Sequence, residues 1–300
     1  MKKILVFLFF IIFLTNAYSD SKFSKDLKKI SKNNGFVDGK GKIYSAEEIT
    51  DKKNTILIIF NHGSNIDQKI DKCLAGWSKV PPVIRNLHNQ KIKKFNIKIY
   101  RLCSGVRGWT KTETTKMWKA HEKSGKLSYE LADKEGTPLM KKLKQLFKQK
   151  IINDKIDDFI KQGFNNIVLA GQSAGAWSSI TLRSQFPEKI DGVIAFHPAV
   201  AGTLKNRKDW PWWENVRTYL IGFMKLENLK NELVFSHNKD NYETPKSLSF
   251  LSNLKSIKFV DISGLDCEGK AKLGRGHAIT LTKCFAEKDN NIVPYLEEIF

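Results

Sequence analysis

An α/β architecture, with a mostly parallel sheet and helices on both faces, is the fold class this 300-residue sequence predicts. Three observations point to it. Strand-like apolar runs alternate with helix-like ones along most of the chain. The run TILIIF at 55–60 is continuous and β-branched, as a strand covered on both faces should be. Apolar residues make up 41% of the chain, enough for a sizeable core, which excludes a disordered protein. With Gly 19, Pro 8 and Cys 4, collagen-like, low-complexity and disulfide-dense mini-domain classes are excluded as well. The only long apolar run is N-terminal, so a multi-span membrane protein is not expected.

That run belongs to a targeting segment. Lys2 and Lys3 form a positive region, Ile4 to Leu14 an apolar stretch of 11 residues, and Ala17-Tyr18-Ser19 a small-residue cleavage site. Eleven residues are too few to span a bilayer comfortably. Residues 1–19 are therefore expected to be a cleaved signal peptide, and 20–300 a single exported domain, periplasmic or secreted, with no stable membrane insertion after cleavage. Export gives the four cysteines an oxidising compartment. The expected pairs are Cys73–Cys103 and Cys267–Cys284, which join neighbours within each half.

The elements follow in order. GFVDGKGKIY (35–44) suggests an edge hairpin, TILIIF a first buried strand and NIKIYRLCS (96–104) a second. Residues 105–136 are Gly/Thr/Lys-rich and read as an irregular, lid-like insertion holding Trp109 and Trp118. A helix is expected from Thr137 as cap and Pro138 in the first turn, stopping at Gly163, with an apolar face running from Leu139 to Ile160. NNIVLAG is the next strand and runs into the small-residue helix start QSAGAW. KIDGVIAFHPAV (189–200), ELVFSHNKD (232–240) and SIKFVDIS (256–263) complete the strands. Residues 201–230, with Trp210, Trp212 and Trp213, form a second lid-like excursion. The terminal helix, from about 278 to 300, is expected to break near Pro294.

The formal net charge is +20, but 44 of the 51 basic residues are Lys and only 7 are Arg. Nucleic-acid readout favours Arg forks, and these lysines are scattered rather than striped. A solvated basic surface is expected, with no nucleic-acid partner. No CxxC or Cys/His spacing suggests a metal, and no cofactor is expected.

In sheets of this kind the chemistry lies beyond the carboxyl ends of the strands. There the sequence carries Gly171-Gln172-Ser173-Ala174-Gly175, following the apolar strand IVLA and opening a helix. A sharp strand-to-helix turn exposes the serine hydroxyl, and the flanking glycines remove the side chains that would clash. Serine needs a base. His277, in the loop LGRGHA, is placed to supply it, with His197 and His237 as competitors at strand ends. The imidazole needs an orienting carboxylate. Asp240 is the leading one, with Asp261, Asp266 and Glu243 as alternatives. For a developing oxyanion the amides of Ala174 and, from the loop Asn61-His62-Gly63-Ser64, of Ser64 are the expected donors, with Asn65 as runner-up. Arg101, Arg107 and Arg275 could meet a substrate carboxylate or make surface ion pairs.

With NHGS at 61–64, GQSAG at 171–175, Asp240 after a strand and His277 in a late loop, the sequence resembles the α/β-hydrolase superfamily over roughly 55–300. Within it the compact dienelactone-hydrolase and carboxylesterase-like branches are the most similar. The resemblance implies the triad Ser173, Asp240 and His277, small insertions rather than a large cap domain, and cleavage of a small-molecule or lipid-like carboxylic ester through an acyl-enzyme. A serine peptidase or acyltransferase with the same triad, or an inactive binding protein on the same fold, are the alternatives. Gln172 and the bulky Trp177 depart from the common elbow pattern.

Overall fold

The structure, a computed structural model, describes residues 34–45, 48–64, 80–105, 129–265, 267 and 276–300, and of 129–141, 143 and 212 the backbone alone. Among the described residues nine strands form one sheet: β1 (Gly35–Val37), β2 (Ile43–Tyr44), β3 (Thr55–Asn61), β4 (Lys91–Ile92), β5 (Phe95–Leu102), β6 (Asn166–Gln172), β7 (Gly192–Phe196), β8 (Glu232–Ser236) and β9 (Ile257–Asp261). The spatial order is β2-β1-β5-β3-β6-β7-β8-β9, with β4 paired to β5. From β5 to β9 every neighbouring pair along that order is parallel, while the β1–β2 hairpin adds an antiparallel edge.

The described helices are α1 (Pro82–Arg85), α2 (Tyr129–Lys161), α3 (Ala174–Gln185), α4 (Leu204–Asp209), α5 (Trp212–Ile221), α6 (Ser249–Ser252), α7 (Lys283–Lys288) and α8 (Ile292–Ile299). Alternation along the central strands explains the two layers. Leu57 and Ile59 of β3 face a core that includes Ile152, Ile156 and Phe159 of α2, Trp177 and Ile180 of α3 and Val216 of α5. Ile56, Ile58 and Phe60 face the other core, with Ile84 of α1, Phe285 of α7 and Leu296 of α8. Strands buried on both faces have no polar side to show, which is why TILIIF reads as one apolar run.

The structure corrects several expectations. The helix expected from Thr137 starts at Tyr129 and runs for 33 residues through Pro138. A Thr-Pro pair marks a helix start because proline needs no amide partner in a first turn, but the helix can also spend one hydrogen bond and continue past it. Residues 129–136 are therefore helical rather than irregular, and 106–128, with Trp109, Arg107 and Trp118, lie outside the described residues. Ile160, expected on the apolar face of α2, is exposed. Residues 201–230 form α4, α5 and a helical turn at Leu226–Asn228. The C-terminal break falls at 289–291, where the side chain of Asp289 accepts from the amide of Ile292. Pro294 sits in the first turn of α8, where its missing amide costs nothing.

Cys267 and Cys284 are bonded, with an S–S distance of 2.01 Å. Cys103 is also disulfide-bonded, while Cys73, like residues 1–19, expected as a signal peptide, lies outside the described residues. Among the described residues no helix is long and apolar enough to cross a membrane.

Candidate active site

Strand β6 ends at Gln172 and α3 begins at Ala174, so a single residue, Ser173, makes the turn. It does so at φ 57° and ψ −122°. A positive φ on a residue with a Cβ costs on the order of 1–3 kcal/mol and persists only where its surroundings hold it. Here the Ser173 amide donates to the carbonyl of Phe196 at 2.9 Å, and its carbonyl accepts from Trp177 at 3.0 Å. Crowding explains the glycines. A Cβ on Gly175 would stand 2.0 Å from the Asn61 carbonyl oxygen, and one on Gly171 2.5 Å from the Gly175 carbonyl carbon. Trp177 is fully buried and packs toward Phe250, with ring centroids 6.0 Å apart. The bulky residue is thus taken up by the core.

The loop after β3 lies directly against this turn. A Cβ on Gly63 would be 3.1 Å from the Cβ of Ser173. The Asn61 amide group donates to Ser179 of α3 at 3.1 Å. Ser64 follows Gly63 and is half-buried, whereas Asn65 lies outside the described residues. Ala174 opens α3, so its amide is one of the first four that have no acceptor within the helix.

The acid and the histidine meet on the other side. Nδ1 of His277 is 2.8 Å from Oδ2 of Asp240. Nδ1 of His197 is 3.2 Å from the same oxygen. Oδ1 accepts from the amides of Tyr242 at 2.7 Å and Glu243 at 3.4 Å. Burial alone would raise the Asp240 carboxyl, but the two histidines outweigh it and hold it well below the usual carboxylate range. Burial pushes His197 down, against the pull of Asp240, so its imidazole is neutral near pH 7. The side-chain amide of Gln172 donates to the carbonyl of His277 at 3.3 Å, which ties the histidine loop to the elbow. Gly276, at φ 92°, lets that loop pass so close to Asp240 that a Cβ would be 2.7 Å from its amide nitrogen. The Tyr242 ring lies over His277 with centroids 4.4 Å apart.

Thus Ser173, Gly63, Gln172, His277 and Asp240 form one connected group at the carboxyl ends of β3, β6 and β8. The side chains of the alternatives are engaged elsewhere or lie outside the described residues. Glu243 is buried between Arg207 (3.0 Å) and Arg217 (2.8 Å), where it braces the loop that carries Asp240. Asp261 is exposed and accepts from Ser263. Asp266 and Arg275 lie outside the described residues. His237 accepts the amide of Lys239 on Nδ1 at 2.9 Å. Arg101 is buried on β5, not on the surface.

Ser173 on a strained turn between a parallel strand and its helix, in a mostly parallel sheet flanked by helices, decides the fold. This is the α/β-hydrolase fold. No family model matches the sequence, and no curated protein does. Solved structures similar to it include a phospholipase/carboxylesterase from Dyadobacter fermentans, 11% identical, covering 70% of this chain and 80% of its own, with a TM-score of 0.37. Est1E from Butyrivibrio proteoclasticus is 14% identical over 70% of this chain and 79% of its own, with a TM-score of 0.37. A CIB-like hydrolase from Thermoplasma acidophilum is 16% identical over 88% and 97%, with a TM-score of 0.39. What assigns the hydrolase fold is this chain's own strand order and elbow.

His197 is the residue that sequence reasoning set aside. It was legible as a strand-end histidine, but its approach to Asp240 depends on the pairing of Phe196 with Phe235. The donor atoms of His197, Asp240 and His277 lie within 4.8 Å of one another, close enough to hold a metal ion. Two ring nitrogens at 2.8 and 3.2 Å from one carboxylate oxygen are, however, hydrogen-bond spacings.

Proposed function

We propose that this chain is an exported serine hydrolase that cleaves a carboxylic ester of a small-molecule or lipid-like substrate through an acyl-enzyme. Ser173 is the nucleophile, His277 the general base and acid, and Asp240 the residue that orients His277. The amides of Ala174 and Ser64 hold the oxyanion. The observation that carries this reading is the 2.8 Å contact between His277 Nδ1 and the buried Asp240 carboxylate, in a loop tied to the elbow through Gln172. A carboxylate at Nδ1 fixes the tautomer that leaves Nε2 free to take a proton.

Ser173 Oγ adds to the ester carbonyl as Nε2 of His277 takes its proton. The carbonyl pair moves onto oxygen and is held by the two amides. As it returns, the alkoxy group leaves with the proton from His277 and Ser173 is left acylated. Water, deprotonated by the same nitrogen, then releases the acid. The rim beside Asp240 supports an apolar portion of substrate: Tyr242 and Leu204 are both exposed, and the Leu204 amide donates to the Asn241 carbonyl at 2.7 Å. The Cys267–Cys284 bond supports an oxidising compartment, in line with a cleaved signal peptide.

Fluorophosphonate labelling of the mature protein with peptide mapping tests the proposal. The adduct is expected on Ser173, and Ser173→Ala should abolish ester turnover with the thermal midpoint retained. A folded protein that takes no label would overturn the reading.

A further inference from the structure

Helix α2 touches both limbs of the proposed oxyanion hole, and it does so with two fully buried polar side chains. Gln145 and Lys148 are each 0% exposed. They stand three residues apart, so they share one face of the helix. Lys148 Nζ donates to the main-chain carbonyl of His62 at 2.7 Å. Gln145 Nε2 donates to the main-chain carbonyl of Ala174 at 3.1 Å and to Ser178 Oγ at 2.7 Å. His62 lies two residues before Ser64, and Ala174 carries the other proposed donor.

We infer that Gln145 and Lys148 are positioning residues that clamp the oxyanion hole, each by gripping the peptide unit next to one of its donors. The inference rests on the function proposed above. A peptide unit is planar, so holding its oxygen fixes where its N–H points and where the next residue starts. Lys148 holds the unit His62–Gly63, and the unit after it carries the Ser64 amide. Gln145 holds the unit Ala174–Gly175, and the unit before it carries the Ala174 amide.

The loop after β3 has reason to need this. Gly63 leaves it with no side chain at the point where it passes Ser173. A preorganised hole is effective only if its amides are fixed before charge develops. Placing a lysine where no water reaches it is costly, and an apolar residue would have filled the layer between α2 and α3 at less expense. The hydrogen bond from Nζ to the loop carbonyl sets against that cost a fixed geometry. The same face also links the two limbs to each other, because one rigid helix fixes the spacing between them.

The test uses Lys148→Met and Gln145→Met in the mature protein, with p-nitrophenyl acetate as substrate. A trifluoromethyl alkyl ketone and its methyl ketone counterpart serve as inhibitors. Only the first adds Ser173 to form a stable oxyanion. Deleting a donor outright costs about 100- to 1,000-fold in kcat, so loosening one should cost about 10- to 100-fold. We expect that loss in kcat, a KM within about threefold, and a matching weakening of the trifluoromethyl ketone with the methyl ketone unchanged. Lys148→Arg, which keeps a donor, should recover part of the loss. If both ketones weaken alike, or if kcat in the folded methionine variants stays within about threefold of wild type, the clamp is overturned. Should Lys148→Met fail to fold, Gln145→Met decides the matter alone. Labelling of Ser173 in the wild type separates the two levels. A labelled wild type with indifferent variants overturns only the clamp, whereas an unlabelled wild type removes the function on which it rests.

Discussion

Strand β8 carries a buried carboxylate at each end, and the two behave in opposite ways. Asp240, beyond its carboxyl end, is held well below the usual carboxylate range. Glu232, which opens the strand, is pushed by burial up to about 7. Both are almost completely inaccessible, so burial does not distinguish them. The donors do. Asp240 takes main-chain amides on one oxygen and the His277 imidazole on the other, with the His197 ring nitrogen 3.2 Å from that same oxygen. Glu232 takes the Asn231 amide on Oε2 at 3.0 Å, and its Oε1 has no hydrogen-bond partner among the described residues. The buried Arg183 pulls the Glu232 carboxyl down but does not offset its burial. Beside it, the Tyr295 hydroxyl donates to the Asn231 carbonyl at 2.7 Å and accepts the Val193 amide at 2.8 Å. The carboxyl end of the sheet thus holds a charge ready for use, while the amino end stores a carboxyl near its neutral state.

The largest effect that would break this comparison is at the acid. Asp240→Asn keeps the shape but lets the wrong nitrogen of His277 carry its proton, so kcat should fall roughly 10³- to 10⁴-fold. Asp261→Asn, which alters the exposed alternative, should leave kcat within about twofold. If the two variants lost activity equally, Asp240 would not be the orienting group.

Glu232 comes second, and its effect is on stability alone. Its carboxyl rises from 4.5 to about 7 on folding, so the folded chain binds more protons than the unfolded one between those values. Stability tied to that proton is present below pH 4.5 and is lost as pH rises through about 7. The loss amounts to about 3 kcal/mol. Glu232→Gln removes the proton and should flatten the profile, gaining most over wild type at about pH 8 and little at about pH 4. Urea midpoints across that range, with ester turnover unchanged, are the measurement. A gain that is equal at both ends would sever the link to Glu232 titration.

The same contrast shows what was legible in the sequence. The elbow was, because its signals are local: an apolar strand, a serine and two glycines within five residues. The strands β3 and β6 were, because burial on both faces leaves continuous runs such as TILIIF and IVLA. The start of α2 was not. Thr137-Pro138 carries the chemistry of a first turn, and nothing local says that a helix already precedes it. Lys148 and Gln145 read as ordinary polar positions on an amphipathic helix. Their burial arises only when α2 packs across the end of β3 and the start of α3. Glu243 was an open alternative because a carboxylate near a strand end looks the same whether it orients a histidine or sits between two arginines. Arg207 and Arg217, which hold its carboxylate, lie 36 and 26 residues away in the chain.

His197 gives the smallest effect and the sharpest one. It ends up at φ 47°, fully buried, with Nδ1 3.2 Å from the Asp240 oxygen that His277 also uses. Its neutral ring lies against the carboxylate, with Nδ1 turned to the same oxygen. His197→Leu removes that polar contact and puts a branched side chain on a left-handed backbone, and should cost roughly 10-fold in kcat and about 2 kcal/mol of stability. Asn tolerates this backbone and carries an amide at a similar distance from it, so His197→Asn should retain most of the activity. The pH dependence adds a check that packing alone cannot mimic. Burial lowers the His197 pKa below its unfolded value of 6.5, so below that pH the unfolded chain binds the proton first and the fold loses stability as pH falls. Leucine has no such proton. The stability gap between wild type and His197→Leu should therefore narrow between about pH 7.5 and about pH 5. A gap that stayed constant would mean that His197 meets Asp240 as a shape and not as a titrating imidazole.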